Sequence, residues 1–408
     1  MLKRLHLLLA LFILTVNAAM AQITTSGISG KITSDGENVI GATVTATHQP
    51  SGTVYRAVTN IDGRYTIQGM RPGGPYKVDI SYIGYKDKVI KNLNLSLGET
   101  ENISCSLQED AHQLQEVVVS GKAGLAASRT GAATSMTAEQ INNMPSITHG
   151  IADVARLNPQ LTVTNSGNMS FAGVNNRYNN FMIDGAANND VFGLASSGNN
   201  GGQAGAQPVS METIEQIQVS VAPFDVRQSG FTGGAINAIT KSGTNQFHGS
   251  AYYYGYNQDL IGTKYPYLDG TGYAPKYQKQ TQYNMGVTLG GPIIKNKLFF
   301  FANYERTNKE YPNLYGVDSG NSKVNTEQAK DILTMLQKIA EKQGVNFNDY
   351  YSNQDIYTKS DKAGLKLDWN INEFNKFAIR WSLVKAEQLS GGGSASSLNS
   401  YGYSYPFK

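Results

Sequence analysis

The 408-residue sequence holds a single cysteine, Cys105, which excludes a disulfide framework and any cysteine-based metal site. Charge is also scarce. Asp, Glu, Lys and Arg make up 16% of the chain, against roughly 25% in an average soluble protein. The net charge is +3, and removal of Lys3 and Arg4 with the leader described below leaves 32 basic residues against 31 acidic. No nucleic-acid partner is expected from that balance. Long apolar runs are missing too: beyond the N-terminus no window approaches the roughly 20 residues that a membrane-spanning helix needs. The five histidines stand far apart, at positions 6, 48, 112, 149 and 248, and no H-E-x-x-H, G-x-S-x-G or P-loop pattern occurs. Neither an enzyme nor a cofactor or metal site is expected. What is abundant is glycine, 43 residues, and tyrosine, 24 against 14 phenylalanines. That mix points to a β protein.

The N-terminus reads as an export signal. Lys3 and Arg4 precede an apolar stretch from Leu5 to Val16, and Ala19-Met20-Ala21 is a small-residue cleavage site. Cleavage between Ala21 and Gln22 is expected, with the mature chain outside the cytoplasm. No cysteine stands at the cut, so a lipid anchor is not expected.

Residues 22–107 show short alternating runs, Ala42–Thr47, Val54–Val58 and Tyr76–Ile80, with turns at Asp35-Gly36, Asp62-Gly63 and Pro72-Gly73-Gly74-Pro75. About seven strands at 8 to 12 residue spacing predict a small sandwich. Gly30-Lys-Ile-Thr33, Val39–Val44, Thr59–Tyr65 and Tyr82-Ile-Gly-Tyr85 resemble the carboxypeptidase regulatory-like domain, which carries no peptidase chemistry.

The linker, 108–121, contains Gln115-Glu116-Val117-Val118-Val119-Ser120. Three β-branched residues in a row favour an extended backbone able to add to another sheet's edge. Residues 122–244 then read as an α/β module. Thr137-Ala-Glu-Gln140 is a capping box opening a helix that stops by Pro145, and a second helix is expected over Ile147–Leu157. Phe181–Gly185 is a strand entering a Gly turn, and Glu212–Val219 leads into another. Ala186–Gln207, rich in Gly, Asn and Ser, reads as surface loop.

This order resembles a TonB-dependent receptor. Glu116–Val119 matches the TonB box, the segment pulled by the energy-coupling protein TonB; an ordinary linker strand has the same composition. Ile183-Asp184-Gly185, Ile214–Val219 and Gly233-Gly234-Ala-Ile-Asn237 match the plug pattern, with Gln218 where the family has a second Glu. Any plug–barrel ion pair at 218 is thereby in doubt, while Glu215 remains available. In the family, apical plug loops meet cargo, which makes Asn188, Asn189, Asp190, Asn199 and Asn200 candidate ligand contacts; a loop that never meets ligand is equally compatible.

From Phe247 onward apolar and polar residues alternate: Tyr283, Met285, Val287 and Leu289; Ala363 to Ile371; Phe377, Ile379, Trp381 and Leu383. The spans approach the 9 to 11 residues of a tilted membrane strand. A soluble sheet with one wet face gives the same alternation. Ile294–Lys297 and Asn372–Asn375 are tight turns, whereas Lys309–Lys359 is a long excursion with a helix capped by Asn325 and striped by Ala329, Ile332, Leu333, Leu336, Ile339 and Ala340. Short turns on one side and long loops on the other fit an outer-membrane barrel. Gly233–Ala251 and Gly290–Glu305 are similar to the Oar-like subgroup of these receptors.

The expected class is therefore mainly β. A signal peptide (1–21) and the sandwich (22–107) precede the linker with the box, the plug (122–244), and the first strands of a plugged outer-membrane barrel (245–408). About five barrel strands are expected where plugged transporters have about 22, so the sequence reads as the N-terminal part of a longer chain. The resemblance implies an outer-membrane receptor, its N-terminal domain periplasmic, importing a ligand through TonB and the proton gradient. Oligosaccharide or peptide is favoured over siderophore. Outer-membrane lipid, the extracellular ligand and a surface lipoprotein are the further partners implied. The alternative is a non-transporting adhesion or assembly protein on the same fold.

Overall fold

The computed structural model describes residues 24–109, 117–120, 132–144, 146, 149–164, 168–190, 195, 197–199, 201–221, 231–261, 279–312, 326–344, 356–373, 375–389 and 406–407. The leader and its cut, together with Gln115, Glu116 and Asn200, lie outside these residues.

The first domain contains β1 (Ser26–Ser34), β2 (Glu37–Asn38), β3 (Thr43–His48), β4 (Thr53–Val58), β5 (Arg64–Met70), β6 (Gly73–Ser81), β7 (Lys88–Leu95), β8 (Thr100–Asn102) and β9 (Cys105–Ser106). Nine strands form where about seven were expected: six of six to nine residues, and β2, β8 and β9, which are two- or three-residue pairings along β1. The Pro72–Pro75 turn is also corrected: Gly73 to Pro75 already belong to β6. One sheet is built on β1 and β5, the other on β7-β6-β3-β4. Alternation explains the sandwich. Val44 and Ala46 of β3 and Tyr76, Val78 and Ile80 of β6 are fully buried, while their neighbours along each strand are only half-buried. They pack on Ile28 and Ile32 of β1 from the other sheet. The buried Tyr76 hydroxyl donates to the Arg71 carbonyl at 2.7 Å and Tyr65 to Ile103 at 2.8 Å, so neither phenol is left unpaired.

Within the linker, β10 (Val117–Ser120) joins this second sheet, outside β7. The next module comprises β11 (Ala132–Thr137), α1 (Ala138–Asn142), α2 (Ile151–Ala155), β12 (Leu161–Val163), β13 (Met169–Phe171), β14 (Asn180–Ile183), β15 (Ala186–Ala187), β16 (Ile214–Val221) and β17 (Gly234–Thr240). Its main sheet runs β11-β16-β17-β14-β15. Thr137 and Gln140 form the expected capping box on α1. The second helix is much shorter than Ile147–Leu157. It starts at Ile151, because His149 takes a left-handed φ of 47° and Gly150 an extended one, and it ends with Ala155. Every residue of β17 is buried.

The last part is an antiparallel sheet of long strands: β18 (His248–Asn257), β19 (Thr281–Ile294), β20 (Leu298–Tyr311), β21 (Ile356–Asn370) and β22 (Lys376–Leu389). The short β23 (Pro406–Phe407) pairs with β22, and neighbours in the sheet follow chain order. A four-residue helix, α3 (Gln258–Ile261), closes β18. The tight turns after β19 and β21 fall where expected. The long excursion is narrower than expected, because Lys309–Tyr311 and Ile356–Lys359 are still strand. Within it α4 (Thr326–Gln343) forms, ending before Gly344 at φ 65°. Its cap, Asn325, lies outside the described residues. Of its stripe, Ala340 is buried but Leu336 and Ile339 are exposed, so the stripe is not a core face.

Burial decides between a soluble and a lipid-facing sheet. Met285, Val287, Leu289, Ile379, Trp381 and Leu383 are exposed, about half their surface in most cases, while Asn284, Glu305, Thr358, Ser360 and Lys362 are buried. A soluble sheet hides its apolar row; this one hides its polar row and turns the apolar row outward, as a membrane strand does.

Candidate functional site: the plug latch and the coupling strand

The plug module lies against the polar face of the long strands, and a single hairpin makes the firmest contact. Ile183 pairs with Ala186, so Asp184-Gly185 is a two-residue loop, and both residues have positive φ, 48° and 79°. Such a turn takes Asp or Asn followed by Gly. The Asp184 carboxylate accepts from the Thr240 amide at 2.8 Å and the Thr240 hydroxyl at 2.6 Å. Lys366 of β21 and Arg380 of β22 each approach it to 3.4 Å, and Lys366 also donates to the Thr240 carbonyl at 3.0 Å. All three charged groups are largely buried. A second contact is made by Ser210, which donates to Glu305 on β20. That carboxylate also receives Tyr252 at 2.8 Å and the Lys362 ammonium at 2.6 Å.

The doubtful position, Gln218, has a different partner from the barrel. Its amide donates to the Leu97 carbonyl at 3.0 Å, while Gln216 accepts from the Leu97 amide at 2.8 Å. Two side-chain amides of β16 thus grip the backbone N–H and C=O of one residue of the first domain. Glu215 is half-buried and lies beside Gly73, lining a cavity of about 440 Å³ with Asp184, Lys366 and Arg380. Gly234 is required by crowding: a Cβ there would enter the Phe171 ring. Its amide and that of its neighbour serve the loop before β14, Gly234 donating to Asn179 at 3.2 Å and Gly233 to the Tyr178 carbonyl at 3.2 Å.

The first domain sits at the end of the sheet that carries the tight turns. Arg56 pairs with Glu373 at 3.0 Å, Asn370 donates to Thr53 at 2.9 Å, and Asn245 donates to the Pro50 carbonyl at 2.8 Å. Val117, Val118, Val119 and Ser120 run parallel to β7, opposite Lys88, Val89, Ile90 and Lys91.

The Ala186–Gln207 stretch is not all surface, which corrects its reading as a loop. Ala195, Ala204 and Ala206 are buried, their small side chains fitting against the module. Asn189 is used internally, accepting from the Phe181 amide at 2.8 Å and donating to Asn180 at 3.1 Å. Asp190 accepts from the Ala195 amide, and Asn199 bridges to Asn189. Asn188 is half-buried, its amide bonded to Phe181. The ion-pair partners Lys366, Arg380, Glu305 and Lys362, with Ser210 and Leu97, escaped the sequence reading. Their signal was charge at inward positions of alternating strands.

A sandwich, a latched plug and lipid-facing strands define a plugged outer-membrane receptor. Residues 27–108 match the Carboxypeptidase regulatory-like domain, 126–236 the TonB-dependent Receptor Plug Domain and 239–319 an Outer membrane beta barrel domain. The chain is 29% identical over 273 residues to the TonB-dependent transporter Oar of Myxococcus xanthus, covering 64% of this chain and 24% of that protein. It is 25% identical over 188 residues to the probable TonB-dependent siderophore receptor PirA of Acinetobacter baumannii, covering 42% of this chain and 22% of that one. The crystal structure of that siderophore receptor superposes with a TM-score of 0.40 at 20% identity, over 63% of this chain and 31% of the other. The chain carries a TonB-dependent receptor plug domain and an outer-membrane barrel domain, which imply the outer membrane with the N-terminal domain periplasmic. It spans about a quarter of the length of these two relatives.

Proposed function

We propose that this chain belongs to an active importer in which the plug closes the barrel and residues 115–120 are the TonB box. The supporting observation is the plug latched through Asp184 onto Lys366 and Arg380, with the box-like strand at the end bearing the tight turns. A closed passage held by polar contacts needs work to open, and a tethered extended strand is a means of delivering it. Of the plug motif residues, Asp184 and Gly185 form the latch hairpin, Gly233 and Gly234 hold the loop before β14, and Glu215 lines the cavity beside the latch. Oligosaccharide or peptide is the ligand class we assign, from the resemblance of Gly233–Ala251 and Gly290–Glu305 to the Oar-like subgroup rather than from any contact residue. Siderophore import is the second reading, supported by the similarity to a probable siderophore receptor. Asn188, Asn189, Asp190, Asn199 and Asn200 are the candidate apical contacts; a surface lipoprotein partner belongs to the same proposal.

Val118→Pro and Val118→Ala test the coupling. Proline removes an N–H and fixes φ, so it breaks any added strand, whereas alanine keeps the donor. In cells expressing the receptor from its native gene, Val118→Pro should abolish energy-dependent uptake with surface binding intact, and Val118→Ala should retain much of it. Normal import by the proline variant would overturn the reading in favour of an adhesion protein. Growth on oligosaccharide, peptide or ferric chelate as sole source separates the ligand classes.

A further inference from the structure

We propose that the outer edge of β7 is the resting berth of the coupling strand, and that TonB must displace β10 from it to gain the box. The proposal rests on the reading of residues 115–120 as the TonB box. Three observations carry it.

The first is that the berth takes the last four residues of the box. Pairing runs from Val117 opposite Lys88 to Ser120 opposite Lys91. Immediately afterwards Asn92 takes a left-handed φ of 60°, and the β6–β7 register shifts between Tyr76 and Val78. A bulge of this kind ends regular pairing. Ahead of it, β7 offers four residues of straight edge, which without β10 would be an open row of backbone donors and acceptors.

The second is that the chain is led back to this edge. Lys86 donates to the Gln108 carbonyl at 2.9 Å, and Tyr85 bridges to Glu109. The chain leaving the sandwich therefore starts beside the entry to β7, and only seven residues separate Glu109 from Val117. A tether that short keeps the strand at an effective concentration on the order of millimolar. A soluble partner competes at a disadvantage.

The third concerns where a pull would go. Leu97, two residues beyond the end of β7, is the residue whose backbone N–H and C=O are held by Gln216 and Gln218 of the plug. While β10 is paired, tension on the box is borne by the β10–β7 ladder and passes to this grip. The berth therefore sets a threshold for coupling.

The test uses receptor purified from its native outer membrane, with Cys105→Ser as background. Lys88→Cys with Val117→Cys places thiols in register; Lys88→Cys with Ser120→Cys is the out-of-register control. Oxidation should cross-link the first pair and not the second. The oxidised first pair should bind the periplasmic domain of TonB at least tenfold more weakly than the same sample after reduction. In unsubstituted receptor, those amides of residues 88–91 that point to β10 rather than to β6 should be protected from hydrogen exchange and lose protection when the TonB domain is added, which keeps the test independent of the variants. Equal cross-linking of both pairs, or those amides unprotected at rest, overturns the berth. Equal TonB affinity before and after reduction overturns the competition alone and leaves the coupling role standing, with TonB docking on the open side of β10. Absence of TonB binding to either form overturns the competition together with the coupling role.

Discussion

Asp184 and Lys366, 182 positions apart in sequence, meet at 3.4 Å and join the tip of a plug hairpin to the inner face of the barrel sheet. The turn places the carboxylate and the strand alternation places the ammonium, so two local rules combine into a long-range lock.

Asp184→Asn should loosen that lock without harming the turn, since Asn also tolerates positive φ in such loops. It leaves Lys366 and Arg380 without their counter-ion. Breaking a fully buried pair costs about 3–5 kcal/mol; partial exposure here reduces that to about 1–3 kcal/mol. Cells carrying the variant should admit large antibiotics more readily, measured as a lower inhibitory concentration. An unchanged concentration would show that the lock does not hold the plug.

Gln218→Glu restores the family residue and should weaken the first domain's hold on the plug. A carboxylate cannot donate to the Leu97 carbonyl, and the position is 7% exposed. An unpaired buried acceptor costs about 1–3 kcal/mol, more when charged. The linker should then be cut faster by limited proteolysis of membranes, with equal rates contradicting the grip.

Gly234→Ala should destabilise the plug by about 1–3 kcal/mol through overpacking against Phe171. Thermal unfolding of the receptor should show a lower midpoint, which Phe171→Leu in the same chain partly restores. No rescue would place the cost elsewhere.

His48 makes the first domain acid-sensitive. It is buried, bonded to the Ser51 hydroxyl at 2.6 Å, and burial, with a smaller effect from Arg71, lowers its pKa to about 3. Unfolded, the imidazole titrates near 6.5. The folded form stays neutral, so its stabilising effect is full above pH 6.5 and is lost as pH falls toward 3. Between pH 7 and 5 the loss is about 2 kcal/mol. Urea unfolding of residues 22–107 should show this slope, and His48→Gln should flatten it.

The long strands were legible because alternation of period two, as at Met285, Val287 and Leu289, is written directly along the chain. So was the Asp184-Gly185 turn, whose φ values few other dipeptides accept. Which side of the strands faced outward was not legible, because lipid and a soluble core both reward an apolar row. The partners of Asp184 were hidden by distance in sequence. For Val117–Ser120 the residues advertised an edge-seeking strand without naming the edge, since β7 is recognisable as an open edge only once its sheet is built. Ala195, Ala204 and Ala206 were invisible as packing residues because small side chains look alike in a loop and in a crowded interior.

The outward apolar row of β19 to β22 has a consequence for how the chain is made. In water those strands have nothing to cover Val287, Ile379 or Trp381, and a row of this kind invites association with other chains. The sandwich at the other end closes its own core and can fold as soon as it is exported. A maturing chain can therefore be finished at one end while the apolar row at the other still awaits lipid.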